Sequence, residues 1–455
     1  MSPFFKFQKM HKITVTDYLD TKYLEYAKGV VEDRAIPSVV DGFKPVHRKI
    51  ITAALQKAKH KYYKIFQLTG IVASEMNYAH GDASLNGSII NMSQDFKNSL
   101  PYFDRDGQFG SLRSPEAGAP RYIGVKVNDV FSKLFRDLNI VDYKYEEGQK
   151  IEPELYYPII PTVLLNGQKG IAVGHGSEVL NRNPLDLVNT ITSLVKTGKW
   201  QEPGLYLKGF NGNIVLNEEH SWEYRGLYEV INTTTLKITE IPPSKSFEDY
   251  ELILHKLIEK GIIKSYEDNS AEYPDFTIRL ERKVLAELIE KDSIMKVFSL
   301  SERKGENLTL LDEHFKIIKF ANIQQLCEYF VNYRMSIYTK RKEVLLKDWN
   351  YTLNINRNLI RFIEMYIKGD LKIAKRPIDE ILAELETLKF DKIDNSYEYL
   401  IRLSLKRLTK EELLKLKTEI ELVKADISDL EKKNEKDLYL SDLVELKKDL
   451  TKLMK

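Results

Sequence analysis

The sequence has almost no cysteine and no long apolar run. Cys327 is the single cysteine among 455 residues, which excludes an intramolecular disulfide and a zinc site built from several thiolates. No stretch approaches the ~18 consecutive apolar residues that a membrane-spanning helix needs. The opening segment MSPFFKFQKMHK also lacks the apolar core of a signal peptide. We therefore expect a cytoplasmic protein of a reducing compartment, with no membrane partner.

The last part of the chain lacks helix breakers. All 22 glycines lie at or before Gly369 and all 15 prolines at or before Pro377. Apolar residues at helical spacing predict two long helices, one over 323–368 and one over about 413–430. Their apolar rows are Leu326, Phe330, Tyr333 and Ile337, and Leu413, Leu416, Ile420, Val423, Ile427 and Leu430. We predict a small helical unit between them, at about 370–410. The simplest interpretation is an ordinary coiled coil for dimerisation.

The rest of the chain divides by its local patterns. Residues 1–150 combine short helical periods with turn signals, whereas residues 151–320 bring β-rich runs between loops, such as 161–165, 170–174 and 234–241. Together with the long helices, this pattern predicts a mixed α+β, multidomain fold. We place the domains at 1–150, 151–320 and 321–455.

Charge is nearly balanced overall but not locally. The chain has 69 Lys and Arg against 67 Asp and Glu, a net charge of +2, which argues against nucleic-acid binding along its whole length. Between residues 28 and 64, however, the sequence has nine basic residues and only three acidic ones. Pro45 suits a first helical position, and we expect Lys44, His47, Arg48 and Lys49 at the exposed start of that helix. They could bind phosphate there, although a solvated basic face is an equal alternative.

A second helix is predicted after His80-Gly81-Asp82, with Asp82 as its N-cap. Its apolar side carries Leu85, Ile89, Met92 and Phe96, and its other side carries Ser84, Ser88 and Asn91. Two such helices in a basic domain favour a helix-turn-helix or winged-helix unit. His80 is a candidate phosphate contact, with a local structural role as the alternative.

Tyr122 follows a glycine-rich loop at 106–111 and is preceded directly by Arg121. A phenol with a pKa of about 10 is a poor nucleophile until positive charge stabilises its phenolate. We expect Arg113 and Arg121 to supply this charge. Because the chain contains 26 tyrosines, the neighbouring arginines alone distinguish Tyr122.

Five ordered motifs resemble the DNA-cleavage subunit of type IIA DNA topoisomerases, in particular its bacteriophage branch. They are RAIPSVVDGFKPVHRK at 34–49, HGD at 80–82, DGQFGS at 106–111, PRY at 120–122 and NGQKGIAVG at 166–174. Two later segments, ITEIPP at 238–243 and LKRLT at 405–409, also look like that family. One departure is Tyr78, which stands where bacterial relatives have a second histidine.

The resemblance implies a winged-helix cleavage domain, an α+β tower domain and a coiled-coil arm with a helical C-gate in a homodimer. Tyr122 would attack a DNA phosphate and form a 5′-phosphotyrosyl link, with Arg121 and Arg34 at the scissile phosphate. The remaining family positions would hold or bend the duplex, and they are Lys44, His47, Arg48, His80 and Ile171. Ile171 matches an intercalating wedge; without the family, it would be interpreted as a buried strand residue.

The implied function is that of the DNA-cleaving and rejoining subunit of an ATP-dependent type II topoisomerase acting on double-stranded DNA. Because no C-terminal DNA-wrapping domain follows the heptads, we expect relaxation or decatenation rather than supercoiling. The chain has no G-x-x-x-x-G-K-[ST] loop, so ATP is expected on a partner subunit. Asp104-x-Asp106 is interpreted as part of a turn, and Mg²⁺ is expected mainly on the partner, with no metal site in this chain. For a phage-encoded chain, the compartment would be the host bacterial cytoplasm.

Three alternatives compete with this interpretation, and the sequence argues against two of them. A non-enzymatic, dimeric winged-helix protein would bind DNA with Tyr122 idle. A replication nickase would need a His-x-His metal pair, which the eight histidines do not form. A tyrosine recombinase would need a catalytic domain before its tyrosine, and Tyr122 lies too early for that.

Overall fold

The computed structural model describes residues 13–217, 221–373, 376–393, 395–404 and 407–454. The chain forms two compact units, Met1–Arg334 with Asp442–Lys455 and Met335–Ser441. The opening segment 1–12 and residues 405–406 of the LKRLT motif, on which predictions also rest, lie outside the described residues.

Residues 13–153 contain short helices, a three-stranded sheet and a strand pair. The helices are α1 (Val15–Tyr18), α2 (Leu24–Val30), α3 (Pro45–Lys57), α4 (Ile65–Glu75), α5 (Asp82–Ser93) and α6 (Asp129–Leu134), with π-helical turns at Leu19–Tyr23 and Val31–Ala35. The strands are β1 (Tyr63–Lys64), β2 (Phe103–Asp106), β3 (Gly124–Val127), β4 (Tyr143–Glu146) and β5 (Gln149–Pro153). Strands β1, β3 and β2 form an antiparallel sheet in that order, and β4 pairs with β5.

Aromatic packing holds this region together. Phe135 stacks between Phe43 and Phe131, with ring centroids 5.6 Å and 4.3 Å away. Tyr156 meets the same cluster edge-on. Stacked and edge-to-face pairs at these separations add to the stabilisation from burying the rings. The cluster therefore fixes the loop before α3, on which Phe43 lies.

The middle of the chain contains most of the strands. Its helices are α7 (Thr162–Leu165), α8 (Pro184–Thr197), α9 (Phe247–Glu259), α10 (Arg282–Glu290) and α11 (Ile294–Val297). Its strands are β6 (Gln168–Ile171), β7 (Gly176–Val179), β8 (Asn213–Leu216), β9 (Trp222–Arg225), β10 (Leu227–Asn232), β11 (Thr235–Glu240), β12 (Ser265–Asp268), β13 (Phe276–Arg279), β14 (Ser301–Lys304), β15 (Thr309–Leu311) and β16 (Ile317–Lys319). The sheets run β10-β11-β13-β12 and β14-β9-β8, with hairpins β6-β7 and β15-β16.

Two strand predictions in this region had opposite outcomes. The run 234–241 is confirmed, since β11 occupies Thr235–Glu240. The run 161–165 is wrong as a strand, because Thr162–Leu165 forms the short helix α7. The Pro161 carbonyl accepts from the N–H groups of both Leu164 and Leu165. All four residues of α7 are buried, and a short apolar run shows no periodicity that separates a strand from a helix.

The last part of the chain is helical where it is described. Its helices are α12 (Ile323–Lys368), α13 (Ile378–Thr387), α14 (Glu398–Ile401), α15 (Lys410–Lys432) and α16 (Glu435–Leu453). The predicted helix over 323–368 is confirmed as one helix of 46 residues. The second predicted helix, over about 413–430, is confirmed by α15. Leu416, Ile420 and Leu430 of its apolar row are buried.

The single cysteine lies inside the first turns of α12. Cys327 is fully buried, and this burial raises the pKa of its thiol well above the ordinary value. Its neutral thiol therefore behaves as a small apolar side chain. Among the described residues, no helix combines the length and apolar character needed to cross a membrane.

Candidate nucleic-acid interface and nucleophile

Helix α3 presents the first candidate side chains. The helix begins at Pro45, as predicted, with Lys44 extended at the N-cap. The Lys44 ammonium donates to the Lys169 carbonyl at 2.8 Å, and the Lys44 backbone N–H donates to Nδ1 of His47 at 3.4 Å. Both side chains are half-buried. Their polar groups thus lie at the surface of the helix N-terminus, where backbone N–H groups favour anions.

His47 is a neutral hydrogen-bond donor. Burial, with the nearby positive charges of Lys44 and Arg48, lowers the pKa of His47 to about 3. The imidazole is therefore uncharged at neutral pH. Because Nδ1 accepts from the Lys44 N–H, the ring proton resides on Nε2. His47 can offer a phosphate this Nε2–H group rather than a positive charge.

Arg48 does not lie where the sequence predicted. The residue is 1% exposed, and its Nε and Nη2 donate to the two carboxylate oxygens of Asp41 at 2.8 and 2.9 Å. Nη2 also donates to the Phe43 carbonyl at 3.2 Å. The expected exposed position is wrong because Asp41, seven residues earlier, captures the guanidinium in a bidentate pair. Lys49 is engaged similarly, with the Met76 carbonyl and Glu152.

Helix α5 and the residues just before it present the second set of candidate side chains. The helix starts at Asp82 with Gly81 as its N-cap, so the predicted Asp82 cap is wrong by one residue. His80 is exposed just before it, and the ring of Tyr78 meets the His80 ring edge-on at 5.4 Å. Tyr78 also shares a hydrogen bond with Ser84, with 3.1 Å between their hydroxyl oxygens. Tyr78 therefore supports His80 sterically.

These elements line one open cavity of about 860 Å³, here called the groove. Four predicted site residues lie on its wall, namely Arg34, Lys44, His47 and His80. Lys97 and Lys169 add further positive charge, whereas the acidic lining residues are Asp33 and Glu178. Lys49 also lines the groove, but its charge is paired with that of Glu152. The groove therefore has an excess of positive charge, which suits a phosphate backbone.

Tyr122 lies outside the groove, on the loop that leads into β3. Its side chain is 71% exposed, and the adjacent Arg121 is also exposed. Its backbone is held, since its N–H donates to the Ala119 carbonyl at 2.9 Å and its carbonyl accepts from the Lys64 ammonium at 2.7 Å. By contrast, Tyr102 is 3% exposed, and burial raises the pKa of its phenol well above the ordinary value. Tyr122 is thus an accessible phenol on a fixed backbone.

Ile171 ends strand β6 at the tip of the β6-β7 hairpin and pairs with Gly176. Its side chain is 80% exposed, so the alternative of a buried strand residue is wrong. Lys169 on the same strand lines the groove. The hairpin therefore places an exposed apolar side chain two residues from the basic wall.

A family model that describes the A-type subunits of DNA gyrase and topoisomerase IV matches residues 34–448. The chain belongs to this family. The DNA topoisomerase medium subunit of Enterobacteria phage T4 is 30% identical over 94% of this chain and 98% of its own length. The mitochondrial DNA topoisomerase 2 of Dictyostelium discoideum is 31% identical over 97% of this chain, which spans only 35% of that relative.

A solved structure gives the same family. The DNA-binding, cleavage and re-ligation domain of Plasmodium falciparum topoisomerase II matches with a TM-score of 0.89 at 28% identity, covering 96% of this chain and 64% of that one. The family resemblance predicted from the five motifs is confirmed, as is the mixed α+β fold. None of these matches supports the alternative of a non-enzymatic winged-helix protein.

In this member of the gyrase/topoisomerase IV family, Arg113 does not supply positive charge to the Tyr122 phenol. Arg113 is 2% exposed and forms an ion pair with Glu240, and it donates to the carbonyls of Pro242 and Lys245 at 2.9 Å. The expectation that it lies beside the phenol is wrong, because the ITEIPP segment provides a buried set of acceptors. Its guanidinium therefore links the loop between β2 and β3 to residues 240–245.

The Asp104-x-Asp106 string is also placed differently from the prediction. Both residues lie on strand β2, not in a turn. Asp104 pairs with Lys126 and Asp106 with Lys64, each with a 3.1 Å contact. Their carboxylates therefore have cationic partners. Over the described ranges, no group of three or more His, Cys, Asp or Glu side chains is arranged to hold a metal ion.

Sequence reasoning missed several residues of the groove and of the Tyr122 loop. Lys97 and Lys169 line the groove, and Lys64 contacts the Tyr122 carbonyl. Lys97 stands alone in its segment, so no local pattern marks it. Lys169 lies inside the NGQKGIAVG motif, which could have indicated it, and Lys64 ends the basic stretch that was counted only for its charge.

Proposed function

We propose that this chain is the DNA-cleaving and rejoining subunit of an ATP-dependent type II topoisomerase. The observation that carries the proposal is Tyr122, an exposed phenol on a fixed backbone next to exposed Arg121, in a chain of this family. The T4 relative, a DNA topoisomerase medium subunit, has nearly the same length, since the match covers 98% of it. The expected outcome of the reaction is relaxation or decatenation of duplex DNA.

In this proposal, helices α3 to α5 and the β1-β3-β2 sheet form a winged-helix cleavage domain within residues 1–150. Residues 151–320 form the tower, and 321–455 form the coiled-coil arm with a C-gate at about 370–410. Two copies would associate through this gate into a homodimer. Each copy would then supply one Tyr122, and each tyrosine would cut one strand. The expected compartment is the cytoplasm.

The chemistry is a reversible transesterification. The Tyr122 Oη attacks a backbone phosphorus, a phosphorus–oxygen bond to the tyrosine forms, and the bond to the deoxyribose 3′ oxygen breaks. The phenolic proton is lost, and the leaving oxygen becomes a 3′ hydroxyl. Because one phosphodiester replaces another, the reverse step reseals the strand. Arg121 and Arg34 would stabilise the charge that develops on the phosphate oxygens.

The groove would hold the backbone of the cleaved duplex. Lys44 and Arg34 would supply charge, His47 its Nε2–H donor, and His80 an exposed imidazole at the start of α5. Arg48 is not included, because Asp41 already occupies its guanidinium. Ile171 at the hairpin tip would insert between base pairs and bend the duplex.

The family's Mg²⁺ and ATP are proposed to come from partner subunits. The two carboxylates of the D-x-D string, Asp104 and Asp106, are paired with lysines, and no step is assigned to a metal held by this chain. A partner subunit with ATPase and metal-binding domains would complete the enzyme, and Mg²⁺ would supply Lewis-acid stabilisation of the phosphate there.

The proposal is tested by trapping the covalent intermediate. The chain, its partner subunit, Mg²⁺ and supercoiled plasmid are mixed and quenched with detergent. We expect linear DNA with protein on both 5′ ends, lost in Tyr122→Phe and retained in Tyr145→Phe. Tyr145 is a matched control because its side chain is 67% exposed. An adduct that persists in Tyr122→Phe, or protein on 3′ ends, would contradict the proposal.

A further inference from the structure

Lys64 joins two strands and the nucleophile loop through one ammonium group. Its Nζ lies 3.1 Å from Oδ2 of Asp106 and donates to the backbone carbonyl of Tyr122 at 2.7 Å. Lys64 ends strand β1 and Asp106 ends strand β2. A single side chain therefore ties both outer strands of the sheet to the residue that carries the phenol.

Gly124 makes this connection possible. Strand β3 lies between β1 and β2, and Gly124 is the register partner of both Lys64 and Asp106. The ion pair thus crosses the central strand at Gly124. A Cβ atom there would lie 3.1 Å from the Tyr63 carbonyl oxygen and 3.5 Å from Oδ2 of Asp106. The absence of a side chain keeps the crossing open.

The same stretch of chain fixes the rest of the loop. The Ile65 N–H donates to the Ile123 carbonyl at 3.1 Å, and the Phe66 N–H donates to the Pro120 carbonyl at 3.2 Å. Residues 64–66 therefore hold the carbonyls of Pro120, Tyr122 and Ile123. Only the contact from Lys64 is made by a side chain, so it alone can be removed by substitution.

We propose that Lys64 is a positioning residue for the cleavage reaction, which sets the direction of the Tyr122 phenol by fixing its carbonyl. This inference rests on the proposed function. The Tyr122 side chain is 71% exposed, so packing fixes it little and its direction depends on its backbone. A nucleophile must be held close to its in-line geometry, and a displacement of about 1 Å can cost roughly 10²-fold in rate.

The contact contributes little to global stability. The side chains of Lys64 and Asp106 are 42% and 54% exposed, and water screens such pairs strongly. A substitution of Lys64 is therefore expected to change cleavage without unfolding the protein. Lys126 provides a matched control, because it pairs with Asp104 at the same 3.1 Å distance on the same sheet. It lies on β3, and its ion pair is with Asp104 rather than with the Tyr122 loop.

The test compares Lys64→Met, Lys64→Arg and Lys126→Met in the full chain with its partner subunit, Mg²⁺ and plasmid DNA. The initial rate of adduct formation is measured over a range of DNA concentrations, because a change that slows cleavage and resealing equally would leave the final adduct yield unaltered. For Lys64→Met we expect about a tenfold lower maximal rate at an unchanged half-saturating DNA concentration. Lys64→Arg should restore most of the rate, because a guanidinium can reach both oxygens. Lys126→Met should match the wild type.

A second readout needs no partner or DNA. In hydrogen–deuterium exchange, the backbone amides of residues 121–124 should exchange faster in Lys64→Met than in Lys126→Met, with equal melting temperatures. If the wild type forms a Tyr122-dependent adduct that Lys64→Met forms at the same initial rate, the positioning role is overturned. Equal exchange in both variants would overturn it as well. If the wild type forms no Tyr122-dependent adduct, the proposed function fails instead, and the exchange comparison still decides whether Lys64 fixes the loop.

Discussion

At the scale of single residues, two cations one helical turn apart have different roles. Lys44 lines the groove, whereas Arg48 is buried against Asp41. Asp41 also accepts from the N–H groups of Phe43 and Tyr156, each at 3.0 Å. The ion pair therefore fastens the turn before α3 to the aromatic core. Its role is to hold the helix start in place for Lys44 and His47.

Substituting Arg48 should destabilise the fold. Arg48→Met leaves the Asp41 carboxylate buried without its cation, so the free energy of unfolding should fall by about 3 to 5 kcal/mol. Urea denaturation followed by circular dichroism measures this change. Lys57→Met, which breaks the half-exposed pair with Glu75, should have a much smaller effect. A stable Arg48→Met variant with weakened DNA binding would show instead that Arg48 contacts DNA.

His47 should make the folded chain sensitive to mild acid. Its pKa is about 3 in the folded chain and about 6.5 when unfolded, so the unfolded state binds the extra proton between these values. The stabilisation is complete above about pH 6.5 and is lost as the pH falls towards 3. Between pH 7.5 and 5, the wild type should lose about 2 kcal/mol more unfolding free energy than His47→Gln. Parallel stability curves for the two proteins would contradict this.

Four of the residues predicted from the sequence, Arg34, Lys44, His47 and His80, do line the groove, but the burial of individual cations was not predicted. The motifs around Tyr122, His80 and Lys44 are local strings, so they can be identified without a fold. The partner that buries Arg48 is local as well, yet Asp41 precedes a glycine and resembles an ordinary turn residue. Arg113 could not be placed, because its acceptors lie more than a hundred residues away.

At the scale of elements, the long helices were predictable and the short buried ones were not. Over 323–368 the sequence combines helical spacing with the absence of glycine and proline, and both signals act over many residues. Helix α7 offers only Thr162–Leu165, all buried. For so short a segment, tertiary packing outweighs local preference. Similarly, Asp104 and Asp106 belong to strand β2 because they pair with β3, which lies about twenty residues later in the sequence.

The β6-β7 hairpin should bend DNA through its tip. Ile171→Ala removes most of the exposed apolar side chain, so bending should decrease because less of the wedge can separate the base pairs. Fluorescence transfer between the ends of a labelled duplex measures the bend. Ile231→Ala is the matched control, since Ile231 is also an exposed isoleucine on a strand, at 50%. Equal bending by both variants would contradict the wedge role.

At the scale of the whole molecule, the net charge does not reveal the positive charge of the groove. The chain has a net charge of +2, but the groove gathers Arg34, Lys44, Lys97 and Lys169 from three separate segments. If the groove binds DNA as proposed, the salt dependence of binding should follow these local charges rather than the net charge. The net charge therefore says little about the charge of the groove.

If the enzyme acts as a homodimer, each tyrosine should cut one strand. Dimers containing one wild-type and one Tyr122→Phe protomer should therefore produce nicks instead of double-strand breaks. Differently tagged protomers are co-expressed, purified through both tags and combined with the partner subunit, and the products are separated on native and denaturing gels. Doubly tagged dimers of two wild-type protomers serve as the control. Double-strand breaks from the mixed dimers would contradict the two-tyrosine arrangement.

The buried cysteine has a practical consequence. Cys327 is the only cysteine in the chain. It lies on α12, its side chain is buried, and this burial raises the pKa of its thiol. Maleimide dyes should therefore react with it slowly. The wild-type chain is thus ready for site-specific labelling without removing any native residue. A single Val444→Cys or Leu422→Cys substitution, at positions 66% and 62% exposed, would give the chain one reactive thiol for a fluorescent reporter.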